Sequence, residues 1–523
     1  MIQSGQITLA LIVGLLLTTV TSWLVAAAYR RQMVTLMRRG PAPDLAARGA
    51  AVTAARENAR SPAVADRVAY RRASFRLLAA LTGISILVGL TQAVLALHFV
   101  YEDRAFSVKQ TLIVGAVYAW PMVLAWGLMR RWSWGVIATG IFAYMLLIWA
   151  WVMLASTQIQ SSFQVSAWLA GQAGLPLIVI LFISGSGRIR AIAPYLLPPF
   201  LVLSAASVIG LGMLFAGVTS QPGWLAPLVS GLGTYGTLAV FVLLPWVVLA
   251  WPVYALVRRL VEAYRAKRFS DLGYLFATYW FAALFLNALT GLEGTGPGAL
   301  IQLLAWGWIP LGWIWLRRWL QPRVPPPTLL VLRVFQRDAQ VERLFDKVIE
   351  RWRQTGNTVL IAGTDVVSRT LEPDELFAYL NGRLAERFVS NEAEVSERLA
   401  ALDLAPDPDG RYRVNECYCF DTTWQTMLAG LVRKSDLALM DLRGFKATNA
   451  GCIHELKALA RAPDLQRVIV LYDRHTERPV AEAATSGAPS GRFHWLDAGR
   501  TGRNVAGQVL DALFAVPRAG TPA

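Results

Sequence analysis

The stretch 435–459 holds the side chains with the clearest chemical potential in this sequence. A run typical of a buried strand ends at Asp441, and Arg443 and Asn449 occupy the loop that follows. Glu455 falls in the first or second turn of the next helix, so its side chain projects toward the strand ends. A carboxylate placed there can accept hydrogen bonds from a sugar diol or attack an anomeric carbon. Glu455 is therefore the candidate catalytic residue, and Asp441, Arg443 and Asn449 are candidate ligand-binding residues.

A carboxylate also lies near the end of each of the earlier predicted strands in this part of the chain. Ligands of open parallel sheets bind outside the carboxyl ends of the strands, so these side chains can converge on one edge and hold a ribose or a divalent ion. Asp365 and Asp421 join the candidate ligand-binding residues on this basis. The alternative, that each Asp caps the next helix, stays open. For Asp441, which ends its strand well before the next helix, the two interpretations are balanced.

The elements that position these side chains follow a Pro-rich linker at 321–327 and fill 328–523. Apolar runs typical of buried strands alternate there with helical runs. The predicted strands lie at 328–335, 358–363, 412–420, 436–442, 467–472 and 492–496. The predicted helices lie at 338–354, 372–388, 392–402, 422–434, 449–461 and 503–515, with a turn at 407–410 and an Ala-, Gly- and Ser-rich loop after 472. This alternation predicts a cytoplasmic α/β domain with a flavodoxin-like or Rossmann-like parallel sheet.

The run from Asp441-Leu-Arg-Gly-Phe through Asn449-Ala-Gly-Cys to Glu455-Leu resembles the corresponding element of TIR domains and of nucleoside 2-deoxyribosyltransferase-like domains. Both families have a flavodoxin-like sheet. Where they are active, a Glu in the helix after such a strand cleaves or exchanges an N-glycosidic bond, of NAD in TIR enzymes and of nucleosides in the transferases. The resemblance implies that role for Glu455, with NAD or a nucleoside as ligand and no certain cofactor.

The resemblance extends over 328–518 in layout but over 435–459 alone in motif. The transferases carry a Gly-Pro-Phe-like turn and Asp residues after their first strands, and only Asp365 can stand in for these. Gly451-Cys452 precedes Glu455 where TIR domains often place a Ser or a Trp-Cys pair. Many TIR-like domains are adaptors, so a non-catalytic interaction module stays open as an alternative.

Other constellations in this half favour less specific interpretations. Cys417 and Cys419 share one face of a strand, and Cys452 and His454 begin a neighbouring helix, but their spacing matches no standard zinc motif and buried Cys is usually core. We therefore predict no metal site. Trp424 can stack on an aromatic base or face the core. The absence of P-loop, GxGxxG, HExxH and Gly-x-Ser-x-Gly motifs argues against the usual nucleoside triphosphatases, dehydrogenases, zincins and serine hydrolases.

The segment 1–320 has the composition of a helical membrane domain. The chain is 55% hydrophobic and only 16% charged, with a mean hydropathy of +0.43. About nine apolar runs approach or exceed the roughly 20 residues that a spanning helix needs. They lie at 7–28, 77–99, 111–129, 135–155, 166–185, 191–216, 227–257, 273–290 and 298–316. The long run at 227–257 contains Pro245 and Pro252, which predict a kink or a tilt.

The basic residues predict an orientation for these spans. They concentrate in alternate loops, above all at 30–76, and are nearly absent from the others. The positive-inside rule then places the N-terminus outside and the C-terminal domain in the cytoplasm of a plasma (inner) membrane. The net charge of +16 is explained in this way, so no nucleic-acid partner is expected. The loop at 30–76 is either an amphipathic helix on anionic lipid or a solvated basic loop.

These features predict a membrane-anchored signalling or effector protein whose cytosolic TIR-like domain binds a nucleotide such as NAD. In the enzymatic version, the domain is an N-glycosidase, an NAD hydrolase or a transferase. One alternative is a receptor or scaffold with an interaction domain, and self-association is compatible with either. Another is a transporter or channel with a regulatory domain, although no ionisable residue lies near the centre of a predicted span.

Overall fold

The chain divides into two compact units. The computed structural model describes residues 4–39, 65–100, 107–155, 161–184, 187–220, 222–333, 339–362, 378–379, 382, 384–420, 422–499 and 504–515. The first unit comprises Met1–Ala28 and Leu78–Leu316, and the second comprises Tyr29–Leu77, Arg317–Thr370 and Glu375–Ala523. Asp365 and Asp421, two of the predicted ligand-binding residues, lie outside the described residues.

Long apolar helices build the first unit, as the hydropathy pattern predicts. Within the described part of the chain, eight helical segments of 22 to 41 residues are long and apolar enough to cross a membrane. The helices are α1 (Ser4–Arg39), α2 (Arg67–Leu95), α3 (Val108–Tyr118), α4 (Pro121–Arg130), α5 (Trp134–Ala155), α6 (Ser162–Ser184), α7 (Gly187–Ser220), α8 (Leu225–Arg265), α9 (Asp271–Thr295) and α10 (Trp308–Leu320). The predicted count of nine spans and their orientation stay predictions.

Several of these helices depart from ideal α geometry. The predicted span at 111–129 is split into α3 and α4, and Pro121 opens α4 because proline fits the first helical position. The backbone of α8 leaves the helical region at Gly233 (φ 70°, ψ 172°), upstream of its two prolines. A π-helical turn, Ala96–Val100, extends α2, and a 3₁₀ helix, Gly296–Gly307, precedes α10. The buried amides of Gln92 and Gln302 meet in this part of the unit, with Nε2 3.4 Å from Oε1.

The predicted parallel sheet is confirmed in the second unit, where all strand pairs are parallel. Its strands are β1 (Thr328–Arg333), β2 (Asn357–Ala362), β3 (Phe388–Val389), β4 (Val414–Cys419), β5 (Leu437–Asp441), β6 (Arg467–Tyr472) and β7 (Phe493–Asp497). Their order is β3-β4-β2-β1-β5-β6-β7. Without the two-residue β3, this is the Rossmann order 3-2-1-4-5-6. The order reverses between β1 and β5, and β5 ends at Asp441.

Helices cover both faces of the sheet, which explains why its strands are apolar on both sides. These helices are α11 (Ala339–Trp352), α12 (Glu392–Ala400), α13 (Trp424–Arg433), α14 (Ala450–Arg461), α15 (Arg478–Ala484) and α16 (Val505–Phe514). Side chains of β1, β2, β5 and β6 join those of α12, α13, α14 and α15 in one buried cluster. This cluster fixes α13 and α14 side by side over the sheet.

Two parts of the predicted layout are wrong. The helix predicted at 372–388 does not extend to its end: Leu384–Arg387 form a 3₁₀ turn and Phe388 enters β3, while 372–377 lie outside the described residues. The pairing of β3 with Tyr418 and Cys419 of β4 decides this, and no local pattern reveals it. The loop predicted after 472 contains α15, whose second residue is a proline suited to a helix start.

Buried charges organise the loop that precedes β4. Arg411 pairs with Asp409 at 2.9 Å and with Glu350 of α11 at 3.1 Å. Arg413 pairs with Asp407 at 2.9 Å. The backbone of the same loop accepts a hydrogen bond from Gln321, whose Nε2 lies 2.9 Å from the Asp407 carbonyl oxygen. These contacts attach the chain that follows α10 to the amino end of the sheet.

Candidate functional site

Asp441 and Arg443 lie at the point where the strand order reverses. Asp441 pairs with Arg333 of β1 in the sheet register and is 3% exposed. Its oxygens accept from Arg443: Nε lies 2.9 Å from Oδ1, and Nη2 lies 2.6 Å from Oδ2. The Arg443 backbone N–H also donates to Oδ1 at 3.1 Å. The structure therefore brings these two predicted ligand-binding residues together, and their side chains are hydrogen-bonded to each other.

The loop between β5 and α14 is fixed by the loop after β6. Gly444, at φ +70°, donates its N–H to Asp473 Oδ1 at 3.0 Å. Thr476 donates its hydroxyl to the Leu442 carbonyl at 2.8 Å, and the Glu477 N–H donates to the Phe445 carbonyl at 3.0 Å. Burial opposes ionisation of Asp473, but the donors Gly444, Thr476 and His475 outweigh it and lower the pKa of this carboxyl. The β5–α14 loop is thus a braced platform.

Asn449 has a local role in this loop. Its side-chain oxygen accepts from the Lys446 backbone N–H at 2.8 Å, which closes a turn directly before α14. Its own carbonyl accepts from the Ile453 N–H at 3.2 Å, so Asn449 begins the helix. Ligand binding by Asn449 stays a prediction, and its oxygen is already engaged in the chain.

Glu455 is a buried titratable group on α14. Its side chain is on the buried side of α14 and only 8% exposed. Among the residues that the structure describes, Oε2 has no hydrogen-bond partner. Burial raises the pKa of this carboxyl from 4.5 to about 8. Glu455 is therefore mostly protonated at neutral pH, whereas the sequence interpretation takes it as a carboxylate.

Trp424 and His454 form an aromatic pair beside Glu455. Their ring centroids lie 5.4 Å apart with the planes at 73°, an edge-to-face contact between the first turn of α13 and the second turn of α14. On α14, Cys452, Leu456 and Leu459 face the sheet core. Successive helical residues are about 100° apart, so Glu455 projects between the direction of Trp424 and that of the sheet. The carboxyl therefore lies along the seam between α13 and α14.

Only one member of the aromatic pair, Trp424, is indicated by the sequence as a stacking residue. The sequence marks Trp424 as a residue able to stack on a base, but His454 enters only as a zinc-ligand candidate. His454 directly precedes Glu455 in the chain, and this adjacency is the sequence signal that links the aromatic pair to the candidate catalytic residue. Their contact depends on the packing of α13 against α14, which no spacing encodes.

The cysteines are core residues in this structure. Cys417 and Cys452 belong to the buried cluster beneath the helices. Burial raises the pKa of each thiol to about 12, and the Glu455 carboxyl adds to the effect at Cys452. In the described part of the chain, no group of three or more His, Cys, Asp or Glu side chains is placed to hold a metal ion.

Comparisons with known proteins give no relative. No protein-family model matches the chain, and no curated protein or solved structure matches it. The resemblance of 435–459 to TIR and deoxyribosyltransferase-like domains therefore stands on the residues of that stretch alone.

Proposed function

We propose that this chain is a membrane-anchored signalling or effector protein whose cytosolic α/β domain binds a nucleotide, with NAD and nucleosides as the first candidates. The observation that carries the proposal is the Glu455 carboxyl, 8% exposed and without a hydrogen-bond partner for Oε2 among the described residues. A buried polar atom left unpaired costs about 1–3 kcal/mol, and a ligand that pairs with it recovers this cost.

The position of Glu455 supports the same proposal. Its helix, α14, follows β5, the strand at which the sheet order reverses. In open α/β sheets, the crevice at such a switch point is the usual place for a nucleotide or another small ligand. At this edge of the sheet, the loop from Leu442 to Asn449 is held by Asp473, and the Asp441–Arg443 pair lies at its start.

Cleavage of an N-glycosidic bond through Glu455 requires the ionised form of its carboxyl. A protonated carboxyl is not a nucleophile, so attack on an anomeric carbon requires that the proton leave first. A nearby positive charge favours the ionised form of a carboxyl and lowers its pKa. The cationic nicotinamide ring of bound NAD supplies such a charge, whereas a neutral nucleoside does not. NAD is therefore the first substrate to test for the proposed hydrolase activity.

Binding and turnover by the full-length protein test this function. Purified protein in lipid nanodiscs is titrated calorimetrically with NAD, adenosine and other nucleosides, and products are followed by chromatography. We expect saturable binding of at least one nucleotide, weakened about tenfold by Glu455→Ala. Glu397→Gln, an exposed position on α12, is the matched control and leaves binding unchanged. Absence of binding by every nucleotide overturns the proposal; binding without turnover leaves a receptor and removes the enzyme.

A further inference from the structure

The chemical state of Glu455 distinguishes two parts of a nucleotide. An ionised carboxylate only accepts hydrogen bonds and suits the two hydroxyls of a ribose. A protonated carboxyl has an O–H donor beside a C=O acceptor in one plane, and this pattern matches an amide or amidine edge. Such edges occur on nucleobases and on the nicotinamide carboxamide. Since Glu455 is 8% exposed and its Oε2 has no hydrogen-bond partner among the described residues, the neutral form is favoured there.

The aromatic pair of Trp424 and His454 favours a ligand with a planar ring as well. Trp424 is half-buried at the start of α13, and its edge-to-face contact with His454 spans the seam 5.4 Å between ring centroids. An edge-to-face pair leaves one ring face uncovered by the other. His454 is exposed, so it can turn aside without breaking the core. A planar heterocycle can then stack on Trp424 and direct its edge toward Glu455, the residue that follows His454 on α14.

We propose that Glu455, as a neutral carboxylic acid, recognises the hydrogen-bonding edge of a nucleobase or nicotinamide ring that stacks on Trp424. The inference rests on the proposed nucleotide-binding function in its non-hydrolytic version, in which Glu455 keeps its proton, and it assigns the base, not the ribose, to this residue. The Asp441–Arg443 pair and the braced β5–α14 loop then lie on the side of the sugar and phosphates.

Substitutions that separate charge from hydrogen-bonding pattern test the assignment. Full-length protein in nanodiscs is titrated with adenosine, free adenine, nicotinamide and ribose 5-phosphate. Glu455→Gln keeps a donor and an acceptor without a charge, so affinity for the adenosine or base probes changes by less than about threefold. Glu455→Ala and Trp424→Ala each weaken these probes about tenfold or more, while Trp424→Phe retains most of the affinity. Ribose 5-phosphate binds all variants alike.

Two patterns overturn the assignment while leaving nucleotide binding in place. In the first, Glu455→Gln weakens adenosine as much as Glu455→Ala does, which means that the ionised carboxylate is required. In the second, adenosine binds but neither Glu455→Ala nor Trp424→Ala changes its affinity. Failure of all nucleotides and bases to bind the unaltered protein is a different result, because it overturns the proposed function itself. Thermal unfolding of each variant, with Glu397→Gln as reference, verifies that the fold is intact.

Discussion

At the residue scale, two acidic side chains on neighbouring elements differ in their hydrogen-bond partners. Asp441, at the end of β5, is held by Arg443 through a pair of contacts at 2.9 and 2.6 Å. Glu455, on the helix that follows, is also buried, with 8% exposed against 3% for Asp441, but its Oε2 has no partner among the described residues. The difference arises because Arg443 lies two residues from Asp441 and donates to both of its oxygens, whereas burial is what shifts the pKa of Glu455.

The raised pKa of Glu455 predicts a pH-dependent stability. In the unfolded chain the carboxyl titrates near 4.5, and in the folded protein near 8. Between these values the folded state holds a proton that the unfolded state has released, so the free energy of unfolding falls as pH rises. Below about 4.5 the full stability is present, and by about pH 8 the loss is complete, on the order of 3 to 5 kcal/mol.

Glu455→Gln removes this dependence because the amide does not titrate. We expect the unfolding temperature of Glu455→Gln to exceed that of the unaltered protein at pH 8 and to approach it at pH 5. Calorimetry in nanodiscs at several pH values measures the difference, from which other titrating groups cancel. Glu397→Gln, an exposed carboxyl on α12, gives the baseline. A difference that is constant with pH contradicts the assignment of a neutral Glu455.

At the element scale, the loop before β4 contains a turn that lies close to the end of α10. Gly410 adopts φ +80°, which glycine tolerates without strain. A Cβ at this position would lie 2.3 Å from the carbonyl oxygen of Leu320, the last residue of α10. The glycine therefore serves both the turn and the close approach of the segment that leads into β1. The Arg411 and Arg413 ion pairs beside it keep the same loop buried.

Gly410→Ala is predicted to destabilise the second unit more than backbone strain alone. A positive φ costs a non-glycine residue about 1–2 kcal/mol, and the clash with a carbonyl oxygen adds an overpacking penalty of about 1–3 kcal/mol. Gly491 has nearly the same φ of +78° but open space at the Cβ position, so Gly491→Ala is the matched control. Thermal unfolding should show a lower midpoint for Gly410→Ala than for Gly491→Ala. Equal midpoints contradict the close contact.

At the scale of the whole molecule, the distribution of charge predicts how the chain is oriented. The apolar windows of the helices carry few charged residues, and the basic residues concentrate beyond the ends of alternate predicted spans, in part on the same helices. Arg30-Arg31, Arg130-Arg131 and Arg317-Arg318 all follow a predicted span on the same side. Since positively charged loops are retained on the cytoplasmic side, the α/β domain is expected there as well, where nucleotides are abundant.

Reporter fusions test this orientation. A fluorescent protein fused at the C-terminus should fold and fluoresce in bacterial cells, because that reporter matures in the cytoplasm. Alkaline phosphatase fused at the same place should be inactive, while the same enzyme fused after Val218, in a predicted outside segment, should be active. An active phosphatase at the C-terminus contradicts the orientation and also removes the access of the domain to cytoplasmic NAD.

Elements with local signals could be predicted from the amino-acid sequence. Hydropathy marked the long apolar helices, and alternating strand and helix patterns located β1, β2, β4, β5, β6 and β7 to within a few residues. The stretch 435–459 was correctly divided into strand, loop and helix, because a short aliphatic run, a loop with a glycine and a helix start each leave a local signature.

Tertiary packing sets the order of the strands, the existence of β3 and the environment of Glu455. These features depend on residues distant in the chain: β3 exists because it pairs with β4, and the seam around Glu455 exists because α13 packs against α14. The sequence identified Glu455 as a carboxyl near the strand ends. Burial, which is a property of the packed domain, decided that it is a proton-bearing group, and this changes the chemistry that it can perform.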